Sequence, residues 1–162
     1  MNRKPNAFQK VIHRLLMLKW VSAFLAVVLY RLDAVVFKLS GGRRTVTEIV
    51  GLPIIQLTTI GAKSGQPRAM PLVSLFDGEK IAIIGSNFGR KTNPGWYYNL
   101  KSNPKCIVQF GSQIAEYIAR QVEGEEREKY WQMAVAYYAG YEKYKQRAAH
   151  RHIPVMLLEP AT

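Results

Sequence analysis

Residues 53–86, PIIQLTTIGAKSGQPRAMPLVSLFDGEKIAIIGS, hold three apolar runs of strand length with no helical repeat between them. Runs of this length bounded by Gly, Pro and Asp read as β-strands. Asp77-Gly78, between the second and third, is a strong local signal for a tight hairpin. The link between the first two, Gly61 to Arg68, is no plain turn: it carries two glycines and two cations. Strands joined this closely pair antiparallel, because a parallel pair needs a crossover of about a dozen residues or more.

Outward from this stretch the pattern continues. NPGWYYNLKSNP predicts a short helix, with Asn93 as its cap, Pro94 at its first position and a stop before Pro104. KCIVQF and QIAEYIARQV predict a second hairpin across Gly111-Ser112. EGEEREKYWQMAVAYYAGYEKYKQRA opens with glutamates suited to a helix N-terminus and is interrupted at Gly140. HIPVMLLEP closes the chain as a strand. Hairpins without repeated βαβ units exclude a doubly wound nucleotide fold. They predict an α+β chain: a small, mostly antiparallel barrel flanked by helices.

The 162 residues suit one core, preceded by a segment of different character. The net charge is +12, and residues 1–44 supply +8 of it: nine Lys or Arg against Asp33 alone. Residues 8–42 have helix-forming composition and end in Gly41-Gly42. Trp20 to Tyr30 is apolar apart from Ser22; as a helix it spans about 17 Å, short of a ~30 Å hydrocarbon core. No small-residue cleavage site follows it. Two main readings stand: a helix buried against the barrel, or one lying on an anionic membrane with Trp20 and Tyr30 at the interface; a true span or an uncleaved signal is the third. The division adopted is 1–42, a membrane-associating helical extension, and 43–162, the barrel, in a cytoplasmic protein peripheral to the inner face of the cell membrane. Positive charge also raises nucleic acid as a partner, but no zinc-finger spacing, helix-turn-helix or RNP-like run supports it.

The residues for self-contained catalysis are missing. Cys106 is the one cysteine and sits in a strand-like run, so it reads as a packed thiol. His150 and His152 lack a carboxylate cluster, so no metal site is expected. No Ser-His-Asp arrangement can be placed. If the chain is an enzyme, a bound cofactor carries the chemistry. Three stretches could hold one. The Gly61–Arg68 turn reads either as a solvated hairpin with two surface cations or as an anion site, where Gly61 and Gly65 let amides converge and Lys63, Ser64 and Arg68 are further donors. In residues 84–96, Gly85, Ser86 and Gly89 allow a flat ligand near the backbone, while Trp96 either walls a ring or fills the core. Tyr137, Tyr138, Tyr141 and Tyr144 recur at helical spacing, as core packing or as a mixed aromatic and polar pocket.

In this order, TTIGAKSGQPRAMPL, DGEKIAIIGSNFG, NPGWYYNLKSNPK, the tyrosine-rich helix and RHIPVMLLEP resemble the deazaflavin-dependent nitroreductase family, from about Pro53 to Pro160. The resemblance implies a split β-barrel binding reduced coenzyme F420, which passes a hydride to quinones, nitroaromatics or other electron-poor acceptors. By the same resemblance Lys63, Ser64, Gly65, Gln66, Pro67 and Arg68 line the cofactor's phosphate and tail, and Pro71 abuts its ring. Ser86, Asn87 and Gly89 match the loop near the deazaflavin, and Trp96 and Asn99 match the following helix. Tyr138, Tyr141 and Tyr144 match the acceptor-pocket tyrosines, with Tyr141 and Tyr144 as the catalytic pair. Two positions depart: Phe88 stands where many members have glycine, and Val73 where some nitroimidazole reducers have tyrosine. The family also resembles FMN- and FAD-binding split barrels, so FMN is the alternative cofactor, and a non-catalytic carrier the alternative role. Oligomeric state is left open.

Overall fold

The computed structural model describes residues 35–36 and 53–161. Apart from Val35 and Val36, which are helical, the extension expected over residues 1–42 lies outside them. Among the described residues no helix is long and apolar enough to cross a membrane. The strands are β1 (Ile54–Ile60), β2 (Pro67–Val73), β3 (Leu75–Asp77), β4 (Lys80–Ile84), β5 (Lys105–Phe110), β6 (Gln113–Val122) and β7 (Val155–Pro160). Helix α1 (Gly95–Ser102) precedes β5; α2 (Gly124–Tyr137) and α3 (Gly140–Arg147) lie between β6 and β7. All pairings are antiparallel in the order β2-β1-β5-β6-β7-β4-β3, and the sheet curls until β2 approaches β4. This is the expected antiparallel split barrel.

Side-chain alternation sorts the strands into two cores. On β4, Ile81 and Ile83 face the inside of the curl; Ala82 and Ile84 face outward. On β7, Met156 and Leu158 point in while Val155 and Leu157 point out. Both strands are therefore apolar on both faces, which explains their unbroken hydrophobic runs. The inner core is closed by Trp96 and Leu100 of α1, the outer by Trp131 of α2 and the tyrosines of α3. β2 carries Pro67 and Pro71 without cost to a ladder on its far side, because it is an edge strand.

Two sequence expectations change, and a third gains its physical cause. The run Arg68–Phe76 is two strands, broken at Ser74, whose buried N–H and hydroxyl both donate to the Pro53 carbonyl. Asn93 is not the cap of α1. The helix starts at Gly95 after Pro94, with no side-chain cap, and the Asn93 amide oxygen accepts instead from Arg151. The long helical stretch breaks before Gly140, at Tyr138 and Ala139. The reason is close approach: the Tyr138 ring folds back over Gly140, where a Cβ would lie 2.2 Å from it. A glycine here lets that ring join the others.

Candidate active site

The loop between β1 and β2 is a wound turn. Gly61 N–H donates to the Gln66 carbonyl at 2.9 Å, and Gly65 N–H to the Gly61 carbonyl at 2.8 Å. Gly65 sits at φ +64°, open to glycine and costly for other residues. Gln66 N–H donates to the Ser64 hydroxyl, and Ala62 N–H to the Asn99 side chain on α1 at 3.0 Å. Asn99 also donates to Thr59 at 3.0 Å, fastening α1 to β1. Most of the amides expected to converge on an anion are thus used inside the turn. Lys63 and Arg68 remain exposed, and neither has an ion-pair partner among the described residues. Anion affinity here rests on two side chains rather than on a backbone cradle.

The second loop leaves β4 at Gly85. Asn87, Phe88 and Gly89 lie consecutively at φ +46°, +57° and +77°. Such backbone is unfavourable for side-chain-bearing residues, so something must impose it. Arg151 does so. Its guanidinium donates to the carbonyls of Ser86 at 2.8 Å, Gly85 at 3.2 Å and Arg90 at 3.0 Å, and to Asn93. Burial pulls its pKa below the ordinary arginine value, yet it stays a cation at neutral pH. The Asn87 amide adds a bond to the Thr92 carbonyl at 2.8 Å. Gly89 packs so tightly on α3 that a Cβ would meet Arg147 at 2.6 Å. Sequence reading missed Arg151. The available signal was an arginine directly before the closing strand, in RHIPV.

The third part is aromatic. Tyr138, Tyr141 and Tyr144 are mutually edge-on or tilted at centroid distances of 5.8–6.1 Å, with the hydroxyls of Tyr138 and Tyr144 3.4 Å apart. Tyr141 stands edge-on to Trp131 at 6.1 Å. Desolvation raises the pKa of all three phenols, so they keep their protons well past neutrality. Tyr144 reaches the second loop, where Phe88 stands edge-on to it at 5.9 Å. Pro71 is half-buried on the same face of β2 as Val73, which packs against the outer core to which these tyrosines belong.

The structure thus joins Ser86, Asn87 and Gly89 to the tyrosines through α3. It joins Lys63, Ser64, Gly65, Gln66, Pro67 and Arg68 to α1 through Asn99. Asn93, just before α1, ties to Arg151, so a single eight-residue helix stands between the two loops. Trp96 is 3% exposed in the inner core, the packing alternative of its two readings; Tyr98 is the exposed aromatic of α1. Cys106 is buried, with its thiol pushed up to about 12 by desolvation, as a packed and unreactive sulfur. Among the described residues no group of His, Cys, Asp and Glu could hold a metal ion.

Exposed cations on a wound turn, a fixed loop and a neutral aromatic cluster on one split barrel suit a flat, anionic ligand. The F420H(2)-dependent quinone reductase family matches residues 29–160. An F420H(2)-dependent quinone reductase of Mycobacterium tuberculosis (strain ATCC 25618 / H37Rv) is 32% identical over 143 residues, covering 86% of this chain and 95% of the relative. A solved F420-H2 dependent reductase, FDR-A, is 42% identical with a TM-score of 0.61, covering 66% of this chain and 94% of that one. A further solved structure, described as a domain-swapped dimer, is 35% identical with a TM-score of 0.63, covering 86% and 97%. The chain belongs to the F420H(2)-dependent quinone reductase family. It is an oxidoreductase, and its cofactor is coenzyme F420.

Proposed function

We propose that the chain reduces a quinone-type acceptor at the inner surface of the cell membrane, using reduced F420. The observation that carries this is the pairing of a free cationic turn with a buried phenol cluster, linked through α1 and the Arg151-held loop. Those residues fit the cofactor: Lys63 and Arg68 suit its anionic tail, and Pro71, Ser86, Asn87 and Gly89 would border its ring. When bound, the deazaflavin supplies the hydride. Tyr138, Tyr141 and Tyr144 hold the acceptor flat and keep water out, which matters because hydride transfer needs near-contact geometry. A quinone that gains a hydride also needs one proton to become a quinol. Tyr144 is proposed to deliver it, with the Tyr138 hydroxyl 3.4 Å behind it. The direct test is quinone-dependent oxidation of reduced F420 by the purified chain, with a nitroaromatic run in parallel. Turnover of the nitro compound but no quinone would reassign the acceptor.

Tyr144→Phe and Tyr141→Phe keep the ring and remove the hydroxyl. Each is expected to lower quinone turnover, Tyr144→Phe by about tenfold or more, with F420 affinity held within about twofold. Because burial raises the phenol pKa, the donor stays protonated above its ordinary value. The rate should therefore show no alkaline fall assigned to these tyrosines below about pH 10. Variants as active as wild type on several acceptors would return the cluster to core packing.

The membrane part of the proposal rests on the sequence of residues 1–40, where charge and apolar character coincide. Full-length protein should sediment with anionic vesicles and stay in solution with neutral ones. Reversing two charges, Lys10→Glu with Arg14→Glu, should weaken that binding by about tenfold or more, since each basic residue near such a surface contributes about 1 kcal/mol. Equal sedimentation with both vesicle types would remove the electrostatic anchor.

A further inference from the structure

Phe88 is held in a position the fold does not reward. Its backbone is left-handed, φ 57°, which for a bulky side chain is an outlier that persists only under constraint. Burial could compensate such strain, yet 43% of its surface is exposed. The ring stands edge-on to Tyr144, with planes 75° apart. Its base is fixed on both sides. Arg151 grips Ser86 before it, and at Gly89 after it a Cβ would lie 3.1 Å from the Tyr144 carbonyl. A rigid, outward, uncharged aromatic face beside a phenol cluster suits a flat apolar ring.

We infer that Phe88 is a specificity-determining residue for the acceptor, its exposed ring forming part of the surface the acceptor meets beside Tyr144. The inference rests on the quinone-reducing reading above. An aromatic wall favours planar, apolar quinones by stacking and discriminates against charged or non-planar acceptors. It makes no demand on the cofactor's tail, which the basic turn holds elsewhere. Removing the ring should therefore affect the acceptor and leave F420 affinity alone.

The test is Phe88→Gly, which deletes the ring and places at φ 57° the residue that tolerates it best. The KM for menadione should rise about threefold to tenfold, the range expected for one aromatic contact. Turnover at saturation and the F420 dissociation constant should stay within about twofold, and the melting temperature should not fall. Phe88→Leu should lie between wild type and the glycine variant. Menadione binding to the chain loaded with oxidised F420, followed by tryptophan quenching without turnover, should weaken by the same factor. A lower melting temperature with a matching loss of F420 affinity would make Phe88 a brace of the loop and overturn the inference. So would unchanged KM and quenching. If wild type reduces no quinone, the functional proposal fails, and the menadione-binding ratio of wild type to variant still decides the role of Phe88.

Discussion

Lys63→Ala and Arg68→Ala are each expected to weaken F420 binding by about tenfold to a hundredfold, the loss of one charge-assisted bond to an anionic group. The structure concentrates the expectation on these side chains. The turn's own amides are largely spent holding it wound, while both cations are exposed and unpaired among the described residues. A contact remote from the reacting carbon acts on binding and leaves the chemical step alone. Single-turnover hydride transfer at saturating F420 should then stay within about a few-fold of wild type. Added salt should weaken wild type more than either variant, because the variants have already lost the screened attraction. Lys105→Ala, a surface lysine on β5, serves as the control and should change nothing. Unchanged F420 affinity in both variants of the turn would reduce it to an ordinary surface hairpin.

Much of the barrel could be read locally. Asp77-Gly78 and Gly111-Ser112 each specify a tight turn by themselves, so the β3–β4 and β5–β6 hairpins follow from neighbouring residues. The continuous apolar runs of β4 and β7 announce strands buried on both faces. What escaped was decided across the chain. Ser74 looks like the middle of one strand, and only the Pro53 carbonyl, 21 residues away, makes it a break. Gly140 reads as a helix breaker, whereas its role is to admit the Tyr138 ring.

The candidate site divides the same way. Composition could mark Lys63, Arg68 and the tyrosines as chemistry-bearing, because cations on a glycine turn and phenols at helical spacing are local patterns. It could not say which aromatic of WYYN faces inward. The structure buries Trp96 and exposes Tyr98. Nor could it separate holding from touching. Ser64 and Asn99 were expected to line the cofactor, and the structure shows both bonded to the turn itself. That makes them organisers of the cationic surface, whatever further contact F420 adds.

Arg151→Ala is expected to be among the most damaging single changes in the described barrel. Its partners lie 58 to 66 residues earlier in the chain, which is why no motif revealed it. Removing the guanidinium takes a donor from the carbonyls of Gly85, Ser86 and Arg90, of which Ser86 keeps the Gly89 N–H, and frees three left-handed residues to relax. Hydrogen bonds to a charged group contribute about 1.5–3 kcal/mol each but do not add when shared, so a loss of about 2–4 kcal/mol is expected. For a domain of this size that corresponds to a fall of about 5–15 °C in melting temperature. F420 affinity should fall by about tenfold or more with it, since the loop proposed to border the ring loses its fixed shape. Arg151→Lys should recover little, because one ammonium cannot span acceptors that the planar fork reaches together. Guanidinium ion at non-denaturing concentration should partly restore F420 binding to the alanine variant and not to wild type. The decisive comparison is made well below the variant's melting temperature. If F420 binds there as tightly as to wild type, Arg151 stabilises the barrel without shaping the site.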